Sequence, residues 1–313
     1  MNLIKKFFLL SLSAFLLTGC SLTKDSLEDA TIYTTVYPIE YLTEFLYSDY
    51  AEIDSIYPNE ADVASYELTE KQLREYARGD LFIYNGLGNE KNITKDMINI
   101  NDDLLIIDVA NGLNYSYGIE ELWMSPNNYL MLAKNIKDYL IEYLESTTII
   151  DYVQTKYNEL AEILSLKDAD LRAIGKEAYE NGTNTLVVSN DVFKYLENYG
   201  FEIISLDEET LTESTLNSIR EDFDDGTYDT IIVLDNNYTE NINSIIEDYE
   251  ANTIDVSSMT TFKEGSNDYI TVMQQFIDDI RNLSLTDWQG STFILKYRSS
   301  VWSSTQEAEE APL

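Results

Sequence analysis

The chain of 313 residues contains no histidine and a single cysteine, Cys20. Ser-His-Asp and Cys-His catalysis are therefore excluded, as is any zinc site built from imidazole or paired thiolates. No disulfide can close within the chain. What remains for chemistry is oxygen: 57 Asp and Glu face 20 Lys and Arg, a formal net charge of −37, and there are 24 tyrosines. Such a field repels phosphate backbones and argues against nucleic acid as a partner. It attracts cations without selecting among them, and the acids are spread along the chain, as a solubilising surface requires. Gly86-Leu87-Gly88 lacks the third glycine of a dinucleotide fingerprint, and no Walker-type loop is present. Composition permits a carboxylate-pair glycosidase, but nothing in the pattern of elements supports one, so no enzyme is expected. One polar triplet stands out by position. The apolar run Leu186-Val187-Val188 stops at Ser189-Asn190-Asp191 and passes straight into an amphipathic helical pattern.

The elements that must position such residues alternate. Ile32–Val36, Ile53–Tyr57, Leu81–Tyr84 and Leu104–Ile107 are short, largely apolar runs bounded by Pro38, Pro58 and Asn85-Gly86. Helical patterns fall at Ile39–Leu46 and from Thr69, a cap, to Arg78. A further helix starts after Pro126. From about Ile150 to Asn181, Val153, Tyr157, Leu160, Leu164, Leu171 and Ile174 recur at spacings of three, four and seven, with Gly175 as the first glycine. A helix of that length reaches about 45 Å, which suits a strut between domains. The alternation then repeats: strands at Thr185–Val188, Glu202–Leu206, Thr230–Leu234 and Thr253–Val256, and helices near Phe193–Tyr199, Thr215–Asp222, Tyr238–Tyr249 and Ile270–Asn282. Continuous apolar strands between helices predict an α/β protein of two lobes. Each lobe has a four-stranded, mainly parallel sheet flanked by helices, and one long linker helix joins them.

The first residues, MNLIKKFFLLSLSAFLLTGCSL, carry Lys5 and Lys6 before an apolar stretch from Phe7 to Leu17, too short for a comfortable membrane span. Leu17-Thr18-Gly19-Cys20 resembles a bacterial lipobox. It implies a signal peptide, lipidation at Cys20, and a body anchored by lipid on the outer face of the bacterial cytoplasmic membrane.

Several words, in order, resemble the substrate-binding lipoproteins of zinc and manganese ABC transporters, the ZnuA/AdcA-like family. Thr34-Thr35-Val36-Tyr37-Pro38 is similar to that family's first strand. PNEADVASYELT at 58–69 resembles its PGADPHSYEPT, and RGDLFIYNGLGNE at 78–90 its ADLVFYNGLGLE. Trp123 and Pro126 match HVWLDPxN, Ser189-Asn190-Asp191 matches SHD, and Asn267-Asp268-Tyr269 with Met273 matches DYxSxM. The resemblance covers roughly residues 30–283. It implies the cluster A-I solute-binding fold, an ABC membrane permease as partner, a monomer, and a divalent cation carried in the inter-lobe cleft as cargo. Members of the family are also described as adhesins, so a surface adhesin with a degenerate cleft that binds no metal is the alternative.

Aligned on those words, the family's three histidine ligands fall at Ala64 (or Val63 or Ser65, if the register moves by one), Glu121 and Asn190, and its acidic ligand at Asp255. The resemblance thus implies a metal site of Glu121, Asn190 and Asp255, with Asp62, Glu120, Asp191 and Asp235 near enough in sequence to help. An all-oxygen set suits Ca²⁺, Mg²⁺ or Mn²⁺ better than Zn²⁺. The cargo stays open between zinc, manganese, a harder cation and none. SLTDWQGS at 284–291 resembles the opening of a ZinT-like zinc-binding module, and the residues after it read either as a truncated remnant of one or as an ordinary tail. The expected organisation is a signal peptide at 1–20, an N-terminal lobe at 21–147, the linker helix at 148–181, a C-terminal lobe at 182–283 and a tail at 284–313.

Overall fold

The computed structural model describes residues 27–285 apart from Asn89, Glu264 and Ser266. The signal peptide, Cys20 and the tail after Leu285 lie outside the described residues. Among the described residues no helix is long and apolar enough to cross a membrane.

The chain divides into two compact units. Of the described residues, the first takes those up to Asn114, then Tyr129–Glu162 and Met259–Gly265; the second takes Tyr115–Asn128, Ile163–Ser258 and those after Gly265. In the first unit, β1 (Ala30–Thr34), β2 (Ala51–Ser55), β3 (Leu81–Tyr84) and β4 (Leu105–Asp108) form an all-parallel sheet in the order β2-β1-β3-β4. Leu81, Phe82 and Ile83 are consecutive and all buried, so β3 is covered on both faces. At the edge, β2 alternates half-buried and exposed residues. In the second unit β5 (Thr185–Val188), β6 (Glu202–Ser205), β7 (Thr230–Leu234) and β8 (Asn252–Val256) repeat the arrangement as β6-β5-β7-β8, again all parallel. Val187, Ile231 and Val233 face Leu216, Ile219, Ile242 and Ile245 of the covering helices.

The helices are α1 (Tyr37–Tyr47), α2 (Glu70–Tyr76), α3 (Glu90–Ile100), α4 (Glu121–Met124), α5 (Pro126–Tyr143), α6 (Thr147–Asn181), α7 (Glu213–Asp224), α8 (Glu240–Tyr249) and α9 (Tyr269–Leu285), with a 3₁₀ helix at Asp191–Tyr199. The long helix α6 is unbroken over 35 residues and contributes its first part to one unit and its remainder to the other.

The boundaries differ from the sequence reading where local caps outweigh propensity. β1 ends at Thr34, and Val36 is the N-cap of α1 rather than a strand residue, with Pro38 in the first turn of the helix, where its missing N–H costs nothing. Thr69 caps α2 as expected, through a capping box with Gln72, but the helix stops at Tyr76. α3 has no counterpart in the sequence reading.

On α1, Glu40 and Glu44 lie one turn apart, and both feel the charge of Asp54 on the neighbouring strand β2. Burial, then Glu44, pushes the Glu40 carboxyl up from 4.5 to about 7. A raised carboxyl leaves stability intact below the unfolded value and removes it as pH climbs towards the folded one. Glu40→Gln should match the wild type near pH 4.5 and exceed its stability above about pH 7 by about 1–2 kcal/mol, allowing for solvent screening at a half-buried group. Urea melts at the two pH values measure this, and equal differences at both would refute it.

Candidate functional site

In both sheets the first strand lies between the two strands that follow it in the chain, so the strand order reverses beside it. Ligands of open α/β sheets bind beyond the carboxyl ends of the strands at such a point. In the second unit this is where β5 and β7 end, and the residues just past them are tightly interlinked. The Ser189 hydroxyl accepts the Leu234 N–H at 2.9 Å, tying the two strand ends together. Past β7, Asp235 and Asn236 both take left-handed backbone, with φ of 49° and 56°. Asp235 Oδ1 accepts the Ser258 N–H at 2.9 Å and the Ser257 hydroxyl at 3.3 Å, which fixes the end of β8 against β7. Past β6, Asp207 accepts the N–H of Asp191 at 3.1 Å and of Glu209 at 3.0 Å.

The residues aligned with metal ligands all belong to this second unit, apart from Ala64. Asn190 is the N-cap of the 3₁₀ helix, and its Oδ1 accepts the Val192 N–H at 2.9 Å. The polar triplet after β5 therefore ends a strand and starts a helix with one side chain. Asn190→Ala should cost about 1 kcal/mol, and Asn190→Asp should keep the cap; chemical denaturation of the pair separates the two. Glu121, buried at the start of α4, turns its Oε2 back on its own loop, accepting the N–H of Ser116 at 3.0 Å and of Tyr117 at 3.4 Å. Asp255 sits on β8 in register with Val233 and shares that residue's sheet face. It is exposed, and its Oδ1 accepts the Tyr238 hydroxyl at 2.6 Å. The three side chains thus each carry a local hydrogen bond. Among the described residues, no group of three or more His, Cys, Asp or Glu side chains is placed to hold a metal ion.

The secondary acids divide. Glu120, next to Glu121, is pushed up by burial and, to a smaller extent, by the charge of Asp235 just past β7. Asp191 is held low by Lys194, whose Nζ stands 2.8 Å from it, against the opposing effect of burial. Asp62, in the first unit, is exposed; the Ser65 hydroxyl and the Ala64 N–H, at 2.6 and 3.1 Å, hold it low. The loop that carries Glu120 and Glu121 is anchored by Trp123, whose Nε1 donates to the Ser258 carbonyl at 2.9 Å and whose own carbonyl accepts the Tyr269 hydroxyl at 2.7 Å. Tyr195 adds a bond to the Met124 carbonyl at 3.2 Å.

In the first unit the equivalent reversal lies between β1 and β3. The sequence reading ends the fourth strand at Ile107 and so passes over Asp108, whose Oδ1 accepts the N–H of Gly86 at 3.0 Å and of Ala110 at 3.1 Å. A Cβ on Gly86 would lie 1.9 Å from that carboxylate, which explains the glycine of the Asn85-Gly86 pair.

Two four-stranded parallel sheets, each with its order reversing beside its first strand, and a long helix contributing to both units give the fold of the cluster A-I solute-binding proteins. The chain belongs to the family described as "Zinc-uptake complex component A periplasmic", which it matches over residues 32–283. The iron-binding protein YfeA of Yersinia pestis is 24% identical over 192 residues, covering 58% of this chain and 60% of YfeA. The Zn(II)-bound ZnuA-like domain of Streptococcus pneumoniae AdcA superposes with a TM-score of 0.66 at 18% identity, over 82% of this chain and 99% of that one. A mutant of the laminin-binding adhesin Lmb of Streptococcus agalactiae gives 0.67 at 16% identity, over 82% and 99%.

Proposed function

We propose that the chain is the extracytoplasmic solute-binding lipoprotein of a metal-ion ABC importer, capturing a divalent cation and presenting it to a membrane permease. Family membership over residues 32–283 carries this reading, and the metal-binding relatives support it. As a component of an uptake complex it is a binding protein, not an enzyme. The anchor is a lipid on Cys20, and the body works as a monomer.

The cation is held by oxygen at the carboxyl ends of the second unit's strands. Glu121, Asn190 and Asp255 occupy the aligned positions, and Glu120 and Asp235, which feel each other's charge, add negative charge nearby. To bind, Glu121 must release the Ser116 and Tyr117 N–H groups, and Asp255 the Tyr238 hydroxyl. That cost and the loss of nitrogen donors favour Mn²⁺, Ca²⁺ or Mg²⁺ over Zn²⁺ and weak over tight binding. Calorimetric titration of the soluble protein with the four ions tests this. Binding of a hard cation, weakened about tenfold or more by Asp235→Asn or Glu121→Gln, supports it. No binding of any of the four would end the transport reading.

The second reading is an interaction protein on the same scaffold with no cargo. The local hydrogen bonds on all three aligned side chains favour it, and the similarity to the adhesin Lmb permits it. It predicts no calorimetric signal and the same melting temperature with and without each ion.

A further inference from the structure

The first unit carries a buried carboxyl that the metal reading does not use. Glu90, the first residue of α3, is 5% exposed, and its Oε2 has no hydrogen-bond partner. The two residues past the central strand ends are in the same condition. Thr35, after β1, is fully buried with its Oγ1 unpartnered, and Asn85, after β3, is 1% exposed with its Nδ2 unpartnered. Asn85 also builds the turn above: its Oδ1 accepts the Leu87 N–H and its carbonyl the Gly88 N–H, each at 3.2 Å. The Glu90 carboxyl is folded against that turn so closely that a Cβ on Gly88 would lie 2.1 Å from Oε2.

Among the described residues, the titratable groups that interact with Glu90 offer no positive charge; on α2, which packs against α3, Lys71 is exposed and Arg74 is paired with Glu70. Tyr57 comes from the end of β2, and its phenol is pushed up by burial and then by Glu90. Tyr84 comes from the end of β3, pushed up by burial, by Asp108 from the end of β4, and by Glu90. Lys91 and Lys95, on α3 itself, are exposed. An ionised carboxylate in such a place lacks the cation or the set of donors that would offset its lost hydration. It holds its proton instead, and burial accordingly keeps the Glu90 carboxyl above the ordinary range.

We propose that Glu90 is a proton-operated latch on the Asn85–Gly88 turn: neutral, it lies buried against the turn; ionised, it must leave, and the turn opens with it. The turn is expected to open with it, because Oε2 packs on the Gly88 backbone and an ionised carboxylate gains its hydration only by parting from that contact. Acid therefore favours the closed turn at the carboxyl end of β3, and alkali the open one.

Amide hydrogen exchange of Gly86, Leu87 and Gly88 tests the latch, after correction for the intrinsic pH dependence of exchange. In the wild type, protection should fall at least about tenfold as pH rises through the midpoint of the Glu90 carboxyl, read by ¹³C NMR on the same protein. In Glu90→Gln, which keeps the shape and cannot ionise, it should stay constant. Constant protection in the wild type, or an equal fall in the variant, overturns the proposal. Should the variant fail to fold, ¹³C NMR titration of the Glu90 carboxyl in the wild type decides: a midpoint in the ordinary range of about 4–5 overturns it, and one clearly above supports it.

Discussion

Gly175→Ala should destabilise the protein by about 2–3 kcal/mol, although helix propensity alone predicts a gain of about 1 kcal/mol for the same change in a helix interior. Gly175 lies inside α6, where a Cβ would stand 2.0 Å from the Tyr199 carbonyl oxygen, 2.9 Å from its carbon and 3.1 Å from Phe201. The obstacle is backbone and cannot swing away. It belongs to the last residue of the 3₁₀ helix, just before Gly200, whose φ of 99° turns the chain into β6. The glycine thus lets the helix that ends the Ser-Asn-Asp segment lie directly on α6. Thermal unfolding measures the outcome: a fall of about 5 °C or more is expected for a unit of this size. A rise would mean that the two backbones do not approach each other as described.

Trp123→Ala should cost about 3–5 kcal/mol, the range for removing a fully buried large aromatic. Trp123 is 1% exposed, and its Nε1 bond to the Ser258 carbonyl joins the α4 segment to the residues just past β8. Trp123→Phe keeps most of the ring and loses that bond, so it should cost about 1–2 kcal/mol. Denaturant midpoints for the pair separate packing from hydrogen bonding. Because α4 carries Glu121, both variants should also loosen the Ser116 and Tyr117 amides, visible as faster exchange. An alanine variant as stable as the wild type would remove Trp123 as the anchor of this loop.

The strands were legible because their signal is strong. Leu81–Tyr84, Thr185–Val188 and Thr230–Leu234 fall where apolar, β-branched runs place them. α3 was passed over although Ile93, Met97 and Ile100 recur at spacings of four and three; of these only Met97 is buried, and the rest of the buried face is Glu90 and Thr94. Thr94 contributes by turning its hydroxyl onto the Glu90 carbonyl at 2.8 Å, which no pattern announces. α4, at four residues, is too short to have a period at all.

The candidate site was legible as a place and not as a geometry. The polar triplet at 189–191 marks a strand end, and the structure puts it at the point where the second sheet reverses. Which atom each side chain commits to its own backbone depends on loop shape. Asn190 is the clearest case, because the oxygen that would face a cation is the one that caps the 3₁₀ helix. The influence of Asp235 on Glu120 depends on the loop before α4 coming near the end of β7, across more than a hundred residues of chain.

The chain's lack of imidazole has a consequence for how it exchanges protons with its surroundings. Most proteins buffer the neutral range through histidine. Here, among side chains, that work passes to a carboxyl lifted out of its usual range, Glu40 at about 7. An infrared difference spectrum taken across neutrality should therefore contain carboxyl bands without imidazole bands, and Glu40→Gln should remove a share of them. A proton released when a cation binds near neutral pH would come from an acid oxygen, and each such proton could be counted in unbuffered solution without an imidazole background.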